Sequence, residues 1–239
     1  MAYRDNWDKY IRDSGAQGVD DDIAVHFSSI KNRLIDFIEE EEDCCILGCV
    51  AWLTDYEILE ALVAQKTVSI IVNKSAEWKK PKSKKLRGLY EELNASPLTS
   101  DMMDGLDFLM KDGSSSFPID GIRCVGHVTA PVKSQSIPLM HHKFLVRCKL
   151  QEQHPIDGGR TPERAIVPIA QAVWTGSFNF SVNASTSLEN AIEICRPSTA
   201  NRFLDVWQRV YALSEPLNWI HEYSKPELAF DLPEGIYDD

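Results

Sequence analysis

The run CCILGCVAWL (44–53) constrains the fold of this chain more than any other stretch of it. It is apolar throughout, is shorter than the roughly 18 residues of a membrane span, and suits a strand buried on both faces. Thr54-Asp55-Tyr56-Glu57 then forms a capping-box signature that opens the helix EILEALVA, and TVSIIV (67–72) reads as a second buried strand. Strand, helix and strand within about 30 residues is the spacing of a right-handed parallel crossover. The expected fold class is therefore α/β, with a mixed, largely parallel central sheet flanked by helices.

Around that unit the pattern predicts three regions: a polar N-terminal segment (1–20), one domain (21–214), and an acidic, Pro-containing tail (215–239) that wraps irregularly over the surface. Ile23, Phe27, Ile30, Leu34 and Phe37 recur at three- and four-residue steps and predict one amphipathic helix ending in the acidic run 39–43. Residues 87–118 read as helix and then loop, ending in KDGSSS. Strands are expected at 122–125 and 139–150, then a loop over 151–164, then the strand AIVPIAQAVWTG, whose Pro168 indicates an edge or a bulge. ENAIEIC reads as a further strand. Ser198 is expected to cap a last helix with Phe203, Val206, Trp207, Val210 and Tyr211 on its buried side.

Composition narrows the function classes. The 239 residues can bury a core without disulfides or metal, and the net charge of −11 disfavours binding polyanions through global charge, so any nucleic-acid contact is local. One segment provides such a locality: 73–87 (NKSAEWKKPKSKKLR) carries Lys74, Lys79, Lys80, Lys82, Lys84, Lys85 and Arg87 against the single acid Glu77, with Trp78 available to stack on a base. It reads equally as a solvated loop leading into a helix. Cys44, Cys45 and Cys49 crowd into the first buried strand without a partner pair at finger spacing, so core packing is the expectation, in a reducing compartment. The N-terminus has no apolar core for a signal peptide, and the protein is read as cytoplasmic.

Two places put polar groups inside apolar strands. In LMHHKFLV, strand alternation sets His141 and Lys143 on one face and His142 on the other, which pairs an imidazole with an ammonium. Gly176-Ser177-Phe178-Asn179 supplies a tight turn, a hydroxyl and an amide, groups suited to holding an anion's oxygens. His142 is expected to be packed, and His26, His127, His154 and His221 to be structural or surface histidines. A Cys-His hydrolase built on Cys195 lacks an identifiable base.

His141-x-Lys143, TGSFNFS and the downstream SLENA together resemble the phospholipase D superfamily, and most its short members with one motif per chain, of the bacterial endonuclease Nuc type and the cardiolipin hydrolase type. GCVAWLTDYEILEALVAQKTVSIIVNK is similar to the first βαβ unit of those domains, so the resemblance spans about residues 22–212 and implies a phospholipase D-like fold. It implies a metal-independent phosphodiesterase with no cofactor. His141 would attack phosphorus, Lys143, Ser177 and Asn179 would stabilise charge on the non-bridging oxygens, and Glu189 would match the acid that holds the histidine ring. A second histidine must protonate the leaving oxygen, which implies a homodimer joined through the motif face. The leading function is a nuclease on DNA or RNA. A lipid phosphodiesterase and a catalytically silent phosphate-binding or nucleic-acid-binding protein are the alternatives, and partner proteins of a defence or restriction system are a family-level expectation. Two departures stand out: the family motif's aspartate position is occupied by Cys148, and residues 144–175 far exceed the family's spacing between lysine and glycine. The loop at 151–164 absorbs the excess, and its Asp157 is a candidate substitute for the aspartate.

Overall fold

The computed structural model describes residues 18–41, 44–74, 84–93, 108–110, 118–128, 139–153, 165–218, 221–226 and 228–230. In chain order the strands are β1 (Gly18–Asp20), β2 (Ile23–His26), β3 (Cys44–Val50), β4 (Thr67–Asn73), β5 (Phe108–Met110), β6 (Ile122–Val125), β7 (Lys143–Gln153), β8 (Ala165–Gly176), β9 (Ala191–Ile194), β10 (Glu215–Pro216) and β11 (Leu228–Phe230). The α-helices are α1 (Ile30–Glu39), α2 (Tyr56–Ala64), α3 (Lys84–Leu93) and α4 (Pro197–Ala212).

Nine strands form one sheet in the order β1-β2-β9-β8-β7-β3-β4-β6-β10. The expected crossover is present: β3 and β4 are parallel, joined by α2, and β6 continues in parallel beyond β4. Every other pairing in that sheet is antiparallel, so the sheet is mixed but mostly antiparallel, which corrects the largely parallel expectation. Continuous apolar runs report burial on both faces and carry no information on strand direction. A separate two-stranded ladder pairs β5 with β11.

Strand β3 divides the core. All seven of its residues are buried, with Cys44, Ile46 and Val50 facing one layer and Cys45, Leu47 and Cys49 the other. The first layer packs Leu34 and Phe37 of α1, Leu59 and Leu62 of α2, and Leu89 and Tyr90 of α3 against the sheet and Trp174. The second packs Leu204, Trp207 and Tyr211 of α4 over Phe144, Val146 and Val173. Each such large apolar side chain contributes about 1.5–3 kcal/mol by leaving water.

Several local readings change. The stripe from Ile23 to Phe37 is two elements: Ile23–His26 is strand β2, and Ser29, in the left-handed region at φ 52°, breaks the chain before α1 begins at Ile30. His26 stacks on Trp174 at 5.2 Å between centroids. Asp55, rather than Thr54, caps α2, accepting from the Glu57 and Ile58 amides at 3.0 and 3.4 Å. Helix α4 starts at Pro197 with Arg196 at the cap, so Ser198 lies inside the first turn, where Pro's missing N–H costs nothing. Pro168 sits in the half of β8 that β9 does not pair, next to a bulge opposite Arg147 and Cys148. Gly18–Asp20 pairs with β2, and Glu215–Pro216 pairs with β6.

The seam between β3 and β7 is tight. Gly48 lies opposite Leu145, and a Cβ at Gly48 would meet Leu145 Cδ2 and the Phe144 carbonyl oxygen, both at 2.5 Å. Gly88 in α3 has open space where its Cβ would be. Gly48→Ala is expected to cost about 1–3 kcal/mol through overpacking, whereas Gly88→Ala should add about 0.5–1 kcal/mol through helix propensity. Urea unfolding midpoints of the two variants, moving in opposite directions, check both.

Candidate active site

Three strands end together. Val50 closes β3, Lys143 opens β7 directly opposite it, and the β7–β8 register that pairs Phe144 with Thr175 carries Gly176 alongside Lys143. His141 and His142 therefore stand just beyond the ladder, exposed, where the Ala51 amide donates to the His142 carbonyl at 2.8 Å. The chain leaving β3 also holds the second motif: Thr54 and Asp55 amides donate to the Phe180 carbonyl at 2.7 and 3.0 Å. Backbone pairing to one strand end thus brings two segments remote in sequence to one place.

The His141 ring and Lys143 meet as the spacing predicts. Lys143 Nζ lies 3.1 Å from Nδ1 and 3.2 Å from Nε2 of His141, and donates to the His141 carbonyl at 3.0 Å. Trp52 completes the cluster, with its ring edge-on to His141 at 5.2 Å and 5.8 Å from the Lys143 ammonium. Burial pulls the Lys143 pKa below the ordinary lysine value, and the Glu189 charge offsets part of that. His142 turns against Phe144, and burial, followed by the charges of Lys143 and His141, lowers its pKa.

The Gly-Ser-x-Asn segment is pinned by its return strand. A Cβ at Gly176 would lie 2.3 Å from the Asn190 carbonyl oxygen and 2.7 Å from Ala191 Cα, so only glycine fits. Ser177 is held three ways. Its amide donates to the Asn190 carbonyl at 3.0 Å, its Oγ accepts from the Asn190 amide at 3.0 Å, and its hydroxyl donates to Glu189 Oε2. Phe178 and Phe180 are buried beneath the loop, and the half-buried Asn179 has a side-chain oxygen with no hydrogen-bond partner among the described residues. Ser177 and Glu189 are thus paired with each other, His141 with Lys143, and the Glu189 charge links the two pairs.

Other candidates fare differently. Lys74 is a correction: it is 3% exposed and ion-paired with Glu215, which His221 and the Lys225 amide also contact, so it is not available to phosphate. Burial alone would raise the Glu215 carboxyl, but the hydrogen bonds from Lys74, His221 and the Lys225 amide hold it below the usual range. Lys84 and Arg87 are exposed on the first turn of α3, and Lys85 pairs with Glu60 across to α2. Trp78, Lys79, Lys80, Lys82, His154 and Asp157 lie outside the described residues. Cys148 is fully buried opposite Cys45, and burial pushes its thiol far up, so it is inert packing on a face away from solvent.

Trp52 and Asn73 escape the sequence reading. Trp52 carried a faint signal as the aromatic ending the first apolar run, and Asn73 as a polar residue ending the second. Among the described residues no three His, Cys, Asp or Glu side chains cluster as metal ligands, and no helix is long and apolar enough to cross a membrane.

No family model matches the sequence. The chain is 28% identical over 212 residues to the uncharacterized protein L381 of Acanthamoeba polyphaga mimivirus, an alignment that covers 84% of this chain and 69% of that protein. Among solved structures it is similar to Nuc from Salmonella typhimurium, a phospholipase D family member, at 17% identity and a TM-score of 0.48, covering 82% of this chain and 97% of Nuc. It is also similar to NucT from Helicobacter pylori, at 12% identity and a TM-score of 0.48, covering 82% of this chain and 98% of NucT.

Proposed function

We propose that the protein is a phosphodiesterase, acting as a nuclease on DNA or RNA through a covalent phosphohistidine. The observation that carries this reading is the Lys143 ammonium held 3.1–3.2 Å from both ring nitrogens of the exposed His141. An imidazole nitrogen with a free lone pair attacks phosphorus, the bond from phosphorus to the leaving oxygen breaks, and the ammonium neutralises the charge that develops on the non-bridging oxygens. Water then gives a proton to the imidazole that protonated the leaving oxygen, attacks the phosphorus of the phosphohistidine, breaks the P–N bond and returns the His141 imidazole. Asn179 adds an amide donor at the same rim, and Ser177 adds its hydroxyl once a phosphate oxygen displaces Glu189 as its acceptor.

The leaving oxygen takes its proton from a second imidazole, and His141 of another copy supplies it when two motif faces meet in a homodimer. Exposed Leu139, Val182 and Leu188 on the motif segments support burial of that face. Nucleic acid is favoured over lipid by exposed Lys84 and Arg87 on α3, whose Tyr90 hydroxyl donates to the Leu53 carbonyl next to Trp52.

Cleavage of labelled single- and double-stranded DNA and RNA in excess EDTA tests this, with vesicle lipid hydrolysis in parallel. Nucleic-acid cleavage should persist in EDTA, and His141→Ala should lower it at least about a thousandfold. Lipid turnover alone, or activity unaffected by His141→Ala, overturns the reading. The pH profile gives a second check. Loss of the proton from the imidazole acid sets the first alkaline fall of kcat/KM, and because burial lowers the Lys143 pKa, loss of its positive charge adds a second, steeper limb below the ordinary lysine range. In Lys143→Arg, which stays charged, that limb should move to higher pH.

A further inference from the structure

Asn73, the last residue of β4, is 1% exposed, yet both ends of its amide are engaged. Its Nδ2 donates to the Lys74 carbonyl at 3.0 Å, and its Oδ1 accepts from the Met140 amide at 3.1 Å. Met140 immediately precedes His141, in the stretch before β7 where the sheet ladder has not begun. From the other side, the Ala51 amide grips the His142 carbonyl at 2.8 Å. The exposed His141 is therefore flanked by one main-chain bond on each side, one from the end of β3 and one from a side chain at the end of β4.

Asn73 is itself fixed from behind. The Lys74 amide donates to the Val125 carbonyl at 2.8 Å, and its ammonium is ion-paired with the buried Glu215. A buried amide with a rigid base and a single outward bond to the residue before an exposed imidazole is arranged to set that imidazole's position.

We infer that Asn73 is a positioning residue for His141: by accepting the Met140 N–H it sets where the His141 ring stands relative to Lys143 and Trp52. The inference rests on the phosphodiesterase reading only for its kinetic consequence. Without Asn73 the segment 139–142 keeps the Ala51 bond and the Lys143 bond to the His141 carbonyl but loses its tie to β4, and the ring samples positions that spoil its alignment with a phosphate. Misplacement on the order of 1 Å costs up to about a hundredfold in rate.

The experiment combines NMR and kinetics on the full chain. In the wild type, the Met140 amide should exchange with solvent at least about a hundredfold more slowly than an unstructured amide, and an unprotected Met140 amide overturns the inference without any variant. In Asn73→Ala, with circular dichroism unchanged, the His141 ring signals should shift and broaden while those of His26 stay put. The kcat should fall about 10- to 100-fold with KM within about twofold. Asn73→Asp, which keeps the acceptor for Met140, should recover His141 signals and most of kcat. Unchanged His141 signals and kcat in Asn73→Ala, or equal loss in Asn73→Asp, overturn the inference. If the wild type cleaves no phosphodiester, the proposed function fails, and the amide exchange and His141 signals still decide the role of Asn73.

Discussion

The antiparallel pairing of Cys44–Val50 with Lys143–Lys149 is the contact on which the site depends. Strand β3 is shared by two ladders of opposite direction, parallel to β4 on one side and antiparallel to β7 on the other. The parallel half brings Asn73 to the same end of the sheet as Val50, and the antiparallel half starts Lys143 there. A ladder of period two leaves no freedom in this arrangement, because a slip of one residue would turn Lys143 from one layer to the other. Gly48 allows the two backbones to approach as they do, since any side chain there would collide with main-chain atoms of β7. The geometry of the candidate site is thus a by-product of core packing.

Much of this was readable from the chain before folding. The first βαβ unit was legible because two uninterrupted apolar runs flank a capped helix, although Asp55 caps it in place of the Thr54 that the capping box puts there. His141 and Lys143 were legible as a spaced pair, but strand alternation is not what joins them: β7 begins only at Lys143, and His141 stands before the ladder. The stripe from Ile23 to Phe37 misled because strand β2 and helix α1 share a spacing across a break that turns on the backbone angle of one serine. Strand direction was invisible, since burial and direction are independent. Lys74 misled for a different reason: its partner Glu215 lies far along the chain, and a local charge count cannot see it. Trp52 and Asn73 were missed on the same ground, because each reaches the candidate site only through a contact distant in sequence.

The C-terminal region closes the same layer. Arg123 of β6 lies over the Tyr211 ring at 4.5 Å and donates to the Ser214 hydroxyl and carbonyl at 2.7 and 3.0 Å, so it satisfies groups at the end of α4. One residue on, Glu215 enters the interior to meet Lys74. Burying such a pair gains little net stability, and removing either partner strands a charge in the core. Its effect is to dictate where the chain goes after α4: along β6 and over the end of β4, directly behind Asn73.

Strands β7 and β8 are much longer than their neighbours, and their paired length separates the motif end from the opposite end by about ten ladder steps, or about 34 Å. The bulge opposite Arg147 and Cys148 sits part of the way along and changes the phase of pairing between the two halves. The hairpin therefore behaves as two compartments in one ladder. The inner one is held in register by β3 and β9, β3 continues past the bulge to Lys149, and beyond that the hairpin can lengthen at a cost that grows only with the logarithm of the added chain. The part of the hairpin beyond Lys149 is in this sense an appendage on the sheet, and its distance insulates the motif end from variation there.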